Sequence, residues 1–150
     1  MAEKSMGVLL MLEEMAAKEV DLAAEVLAKS MQLADEAKAK QALLAGYKQD
    51  YVNNLHQLLG HGVSADTYQN FQQFFAKLDQ AVIGQHELVV MANQQVQLHR
   101  QLWQESQRKR LSYQVLLKCS DKRALKIEQK KDQKMMDEFA MRSARSRSSS

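Results

Sequence analysis

Apolar residues recur at the three-and-four spacing of α-helices in two long stretches of the chain, separated by one break. The break is "GHGVSADT", residues 60–67. Its two glycines permit positive φ angles and predict the end of a first helix. Ser64 is the predicted N-cap of a second helix, with Asp66 in its first turn. The apolar stripe of the first stretch comprises Ala16, Val20, Ala23, Leu27, Met31 and Ala34, then Leu44, Tyr47, Tyr51, Leu55 and Leu58.

The second stretch keeps a strict seven-residue phase. Steps of three and four give Tyr68, Phe71, Phe75, Leu78, Val82, Gln85, Val89, Ala92, Val96, His99, Trp103, Ser106, Arg110, Tyr113, Leu117, Ser120, Ala124 and Ile127. Of these 18 positions, 13 are apolar. A heptad sustained this long predicts a left-handed supercoil with a partner helix. We expect the polar members Gln85, His99, Ser106 and Arg110 to fix the register of the pair.

The short break makes the first helix the natural partner, so the pattern predicts an all-α fold: a long two-helix antiparallel coiled-coil hairpin. We expect the coiled coil over 1–142, with helices at 3–59 and 67–141, a turn at 60–66 and a disordered tail at 143–150. In this register residue i faces about residue 123 − i, so that Glu3 lies opposite Ser120. The second helix then overhangs the first at its carboxyl end.

Composition supports long helices and a narrow core. The chain has no proline, five glycines and 6% aromatic residues. Its single cysteine, Cys119, excludes an internal disulfide and is typical of a reducing compartment. No apolar run approaches the ~20 residues that cross a bilayer. We therefore expect a cytoplasmic protein whose association with membranes is indirect.

Charge is unevenly placed along the chain. The net charge is +3, yet residues 104–150 hold 13 Lys and Arg against 6 Asp and Glu, which gives +7. This basic end is compatible with a solvated helix face, with phosphate binding to a nucleic acid, or with a docking helix. Acidic residues interrupt the cations and no aromatic platform accompanies them, which argues against nucleic acid.

Signs of enzymatic chemistry are missing from the sequence. The four histidines lack the spacing of metal ligands, Cys119 has no zinc-ligand neighbour, and no glycine-rich phosphate loop occurs. Two helices also enclose little concave volume. We expect no catalytic residues, no cofactor and no metal site.

Four segments in order resemble the FliJ family of flagellar export proteins. They are "GYKQDYVNNL" (46–55), "YQNFQQFFAKLDQAV" (68–82), the lone Trp103 in "LWQESQRKR" (102–110), and "QKKDQKMMDEFAMR" (129–142). The similarity extends over about residues 5–145. Coiled coils imitate one another, so it is the joint occurrence of the four that is specific.

The resemblance implies a non-enzymatic component of the flagellar type III export machine. FliJ proteins look like the central stalk of rotary ATP synthases. Their paired ends sit in the pore of the hexameric export ATPase (FliI), which is regulated by FliH. Their other partners are the cytoplasmic domain of the export gate protein FlhA and export chaperones. The implied location is the cytoplasmic side of the inner membrane at the flagellar base, in a system serving motility and chemotaxis.

The same resemblance implies two binding surfaces. The family's gate-binding surface matches Lys40, Leu44, Tyr47, Tyr51, Phe74, Leu78, Ala81 and Gln85. Members of the family can carry histidine at the last of these positions, whereas here the histidine is His86. The stripe expected to meet the ATPase ring comprises Lys130, Lys131, Lys134, Met135, Met136, Phe139 and Arg142.

Two other interpretations belong to a different class, that of a generic basic coiled-coil adaptor. One is the equivalent stalk of a virulence-type secretion system. The other is a nucleic-acid-associated scaffold, for which salt-sensitive RNA or DNA binding would be the mark.

Overall fold

Two long helices form the fold. The computed structural model describes residues 2–148, with side chains from Lys4 onward. Helix α1 spans Ala2–His61 and helix α2 spans Ala65–Ser148, and no strand occurs among the described residues. The two helices pack against each other, which confirms the predicted all-α helical hairpin.

The connection between the helices is shorter than predicted. Only residues 62–64 lie outside a helix, whereas the sequence indicated a turn over 60–66. Gly62 has φ +84° and its N–H reaches the carbonyl of Leu59 at 3.4 Å, so this one glycine ends α1, while Gly60 remains helical. Ser64 caps α2, because its Oγ accepts the N–H of Thr67 at 3.3 Å.

The carboxyl end of α2 also differs from expectation. The helix continues to Ser148 rather than ending near Met141, so residues 143–148 are helical where we expected a disordered tail. Arg145 and Arg147 lie in the last turn, where cations are favoured by the helix dipole. The last two residues of the expected tail lie outside the described part of the chain.

The hairpin divides into two compact units. The turn-proximal unit is Asp21–Glu105, and the terminal unit consists of Met1–Val20 with Ser106–Ser150.

In the turn-proximal unit the helices run antiparallel in nearly the predicted register. Lys48 Nζ lies 2.5 Å from Asp79 Oδ1, and the rings of Tyr51 and Phe71 are 4.9 Å apart. Gln85 donates to the carbonyl of Ala37 at 3.0 Å, as expected for a polar residue that fixes register. The residue numbers in these pairs add up to between 122 and 127, against a predicted 123.

The seam of this unit is regular on both helices. Every predicted α2 position from Phe71 to Trp103 is buried or half-buried, whereas Tyr68 is exposed. On α1 the prediction was wrong at Met31, Tyr47 and Leu58, which are exposed. The seam instead keeps the seven-residue phase through polar residues, and comprises Ala23, Leu27, Ser30, Ala34, Ala37, Gln41, Leu44, Lys48, Tyr51 and Leu55.

In the terminal unit a charged pair lies in the seam. Arg110 Nε donates to Glu13 Oε1 at 3.1 Å, and Gln114 reaches the same oxygen at 3.4 Å. Ala16 and Val20 are buried on α1. The predicted α2 seam holds to Ser120 but is wrong at Ala124 and Ile127, which are exposed and border an open groove with Met6 and Leu9.

The core is thin throughout the described residues. Only Ala16, Val20, Ala34 and Val89 are buried hydrophobic residues in this part of the chain. The accessible surface is 12223 Å², whereas a compact protein of 17.1 kDa would have about 7,700 Å². Most side chains of this chain are therefore available to other molecules.

Alanine substitutions at the two glycines of the turn should change the free energy of unfolding in opposite directions. Gly62→Ala should lower the free energy of unfolding by about 1 kcal/mol, because an L side chain at positive φ is strained. Gly60→Ala should raise it by about 0.5–1 kcal/mol, because alanine is the better helix former and open space surrounds the new Cβ. Urea unfolding followed by circular dichroism at 222 nm measures both; the same sign at both sites would contradict this account of the turn.

Candidate partner-binding surfaces

The first candidate surface is the overhang, defined as Glu128–Ser148 of α2. From Asp121 to Arg142 every side chain is exposed. The overhang is about 30 Å long at 1.5 Å per residue. The exposure of its side chains agrees with the overhanging helix predicted from the sequence.

Helical structure in the overhang has local support. Gln133 donates to Asp137 at 3.4 Å, one helical turn away, and Ser148 Oγ donates to the carbonyl of Arg145 at 3.0 Å. No proline or glycine interrupts the segment. Such local contacts contribute only tenths of a kcal/mol each, so they bias the segment towards helix without holding it rigid.

The overhang presents its apolar stripe openly. Met135, Met136 and Phe139 are 67%, 70% and 73% exposed, the highest values among the large hydrophobic residues described. Met135, Phe139 and Arg142 share one face, because they are four and three residues apart. The cations predicted for this surface are exposed as well, and are Lys130, Lys131, Lys134 and Arg142. All seven predicted residues are thus accessible to a partner.

The second candidate surface, the aromatic patch, lies in the turn-proximal unit. Its members are the predicted Lys40, Leu44, Tyr47, Tyr51, Phe74, Leu78, Ala81 and Gln85. Their heptad positions divide them into two groups. Leu44, Tyr51, Leu78 and Gln85 belong to the seam and are half-buried, whereas Lys40, Tyr47, Phe74 and Ala81 point outward.

Stacked aromatic rings form the centre of the patch. The ring of Tyr51 lies 4.8 Å from that of Phe74 and 4.9 Å from that of Phe71, tilted in both cases. Tyr47 and Phe74 remain 54% and 52% exposed. Rigid aromatic side chains held in this way are typical anchors of protein interfaces, because they lose little conformational entropy on binding.

Gln85 is placed differently from the other members of the patch. Its amide is engaged with the Ala37 carbonyl inside the seam. His86, its neighbour in sequence, lies one step around the helix and pairs with Gln41, with Nδ1 and Nε2 3.0 Å apart. Asp79, one heptad before His86, bonds Lys48 on that same edge. His86 is therefore on the polar edge of the hairpin, away from Phe74 and Ala81.

Sequence reasoning missed the polar members of the α1 seam. Lys48 lies 5.4 Å from the ring centroid of Phe75 while bonding Asp79. Glu13 occupies the matching type of position in the terminal unit. The heptad phase could have identified both residues as members of the seam, because Lys48 and Glu13 fall on the seven-residue repeat of their apolar neighbours.

No helix of the described residues combines the length and apolar character needed to cross a bilayer. A helical hairpin with a thin seam and exposed aromatic and basic surfaces belongs to the class of α-helical coiled-coil proteins.

Comparison with known proteins narrows this class to a family. The family model described as "Flagellar FliJ protein" matches residues 6–149. The flagellar FliJ protein of Salmonella typhi is 35% identical over 139 residues, which cover 92% of this chain and 94% of the relative. That of Escherichia coli (strain K12) is 31% identical over 138 residues, with the same coverage of both chains.

The chain belongs to the FliJ family, as the sequence resemblance indicated. Membership makes it a component of the flagellar protein export apparatus.

Adjacent phenylalanines test the assignment of surface and seam. Phe74→Ala should lower the free energy of unfolding by about 1 kcal/mol, the worth of the ring contact with Tyr51. Phe75→Ala should lower it by about 2–3 kcal/mol, because this half-buried seam ring leaves a gap between the helices. Urea unfolding measures both, and a greater loss at Phe74 than at Phe75 would contradict the assignment.

Proposed function

We propose that the chain acts as a non-enzymatic stalk of the flagellar export apparatus, joining the hexameric export ATPase to the export gate. The single observation that carries the proposal is the overhang. It combines the most exposed large hydrophobic residues with clustered cations, at the end of α2 that α1 does not cover.

The overhang is the proposed contact with the ATPase ring. Isolated helices of about 20 residues are marginal in water, so a partner that covers Met135, Met136 and Phe139 stabilises the segment as it binds. The overhang carries six Lys and Arg against four Asp and Glu. This mixture suits a contact that allows sliding or rotation, because no single tight ion pair dominates. The regulator of the ATPase (FliH) belongs to the same assembly.

The aromatic patch is the proposed contact with the cytoplasmic domain of the gate protein FlhA. Tyr47 and Phe74 supply the anchors, Ala81 lets a partner backbone approach, and Lys40 supplies a charge at the rim. Leu44, Tyr51, Leu78 and Gln85 lie beneath these residues and hold them in place. Export chaperones are the remaining proposed partners, and the working location is the cytoplasmic side of the inner membrane.

The ring contact is tested by changing the stripe without changing charge. Met136→Gln combined with Phe139→Gln should abolish association with the export ATPase, because apolar burial is lost while helix propensity is little altered. Met11→Gln is the matched control, since Met11 is 63% exposed on α1 outside both surfaces. Pull-down of the ATPase by the full chain is the measurement. Undiminished association of the double variant would remove the overhang from the proposed function.

The gate contact is tested at the two outward aromatic residues. Tyr47→Ala and Phe74→Ala should each weaken binding to the FlhA cytoplasmic domain at least tenfold, as expected for interface anchors. Ile83→Ala is the control on α2, outside the patch and similarly exposed at 54%. Titration calorimetry measures the affinities while circular dichroism confirms unchanged helicity. Equal affinities for all three variants and the parent chain would show that the patch binds something else.

A further inference from the structure

A second apolar surface lies on the turn-proximal unit, beyond the aromatic patch. Two outer tracks of the heptad repeat flank the seam on the side that carries Phe74 and Ala81. Large hydrophobic residues that are roughly half exposed share these tracks with charged residues such as Lys29 and Glu36. We call the following set the side face: Leu22, Leu33 and Leu43 on α1, with Leu88, Met91 and Leu98 on α2.

The track of α2 that borders the seam on the opposite side is polar, although Ile83 and Val90 are exposed one track further around. On that bordering track, one heptad apart, stand Gln72, Asp79, His86, Asn93 and Arg100. Two of these, Asp79 and His86, bond residues of α1. One edge of the hairpin is therefore polar and internally engaged, whereas the side face is apolar and open.

The width of the apolar stripe does not fit a two-stranded coiled coil. A two-stranded pair needs apolar residues at only two of seven positions, whereas helices of larger bundles use a wider stripe. The side face adds on the order of 600–800 Å² of apolar surface, above what a typical monomer exposes in one patch and close to one partner's share of a stable interface.

We propose that the side face pairs two copies of this chain, so that their turn-proximal units form a four-helix arrangement. A single partner helix lying over the seam would cover Leu33 and Leu88 only. The residues further around each helix, Leu22 and Leu43 on α1 and Met91 and Leu98 on α2, are covered only when each helix receives a helix of its own. A second hairpin supplies both of these helices at once.

The charges bordering the side face fit a two-fold axis that runs perpendicular to the helices. If the axis crosses α1 near Leu33, then Leu22 meets Leu43 of the second copy, and Lys29 meets Glu36 of the second copy. On α2 an axis near Met91 brings Gly84 opposite Leu98, and Lys77 opposite Glu105. All four charged side chains are exposed in the single chain.

The two helices give the same axis independently. Within one hairpin, the bonds of Gln85 to Ala37 and of His86 to Gln41 put Leu33 of α1 opposite α2 residues between 89 and 94. The axis found from the α1 pattern therefore crosses α2 within about three residues of the axis found from the α2 pattern. A two-fold arrangement requires this coincidence, because both helices must be related by one rotation. The paired region contains Lys40 and Ala81 of the aromatic patch but stops short of Tyr47 and Phe74, and the test of pairing by sedimentation does not require the proposed gate contact.

The association is tested with the full chain by sedimentation equilibrium over micromolar to millimolar concentrations. The expected result is a reversible dimer with twice the 17.1 kDa mass of one chain. Met91→Lys should weaken dimerisation at least tenfold, because two lysines then face each other at the axis. Ile83→Lys, at 54% exposed against 59% for Met91 and on the same helix, should leave it unchanged.

Charge reversal tests the register of the pair. Lys29→Glu and Glu36→Lys should each weaken the dimer, because each places like charges opposite one another across the axis. The double variant should restore it, because both pairs form again with their signs exchanged. Three results would each overturn the proposal: a chain that stays monomeric at every concentration, equal effects of Met91→Lys and Ile83→Lys, or no restoration of the dimer in the double variant. A chain that stays monomeric would indicate that a helix of another protein covers the side face.

Discussion

The seven-residue repeat shared by the two helices is the constraint on which the rest of the structure depends. Each helix places about one residue per turn in the seam, and few of these residues are large. With four buried hydrophobic residues among those described, the seam cannot be stabilised by a large core volume. It is stabilised by length, since many half-buried contacts of modest worth add up along each unit.

Polar residues within the seam give this thin core its register. Glu13 with Arg110 in one unit and Gln85 with the Ala37 carbonyl in the other each have one best alignment. A slip of one heptad would leave these half-buried groups without partners, at a cost of about 1–3 kcal/mol each. Their benefit is therefore specificity: they favour one alignment of two apolar stripes that would otherwise tolerate several.

Much of this arrangement could be predicted from the sequence. The α2 seam from Phe71 to Ser120 follows from its unbroken phase, and the cap at Ser64 follows from local turn chemistry. The α1 seam was harder, because Ser30 is buried where Met31 was expected, and Lys48 is half-buried where Tyr47 was expected. Hydrophobicity favours the wrong residue at both places. Only the partner helix, which offers Asp79 and the Phe75 ring to Lys48, explains why the polar residue lies inside.

The candidate surfaces, too, could be predicted from the sequence only in part. The openness of the overhang could be predicted from helix lengths alone, because α2 is longer than α1. The heptad also places Leu44, Tyr51, Leu78 and Gln85 of the aromatic patch in the seam, whereas the ring contact between Tyr51 and the outward Phe74 could be seen only in the structure. The side face could not be predicted from the sequence, because its leucines and methionine lie out of phase with the seam. The pattern of one helix also does not show which partner covers those residues.

The antiparallel return of α2 along α1 is tested most directly by one distance in the turn-proximal unit. Ala28 and Gln97 are exposed on opposite helices at one level, and spin labels there can be introduced with Cys119 replaced by serine. Pulsed electron resonance should give roughly 20–30 Å, the spacing of two packed helices plus the labels. A separation approaching the ~100 Å of a continuous helix between these residues would contradict the account.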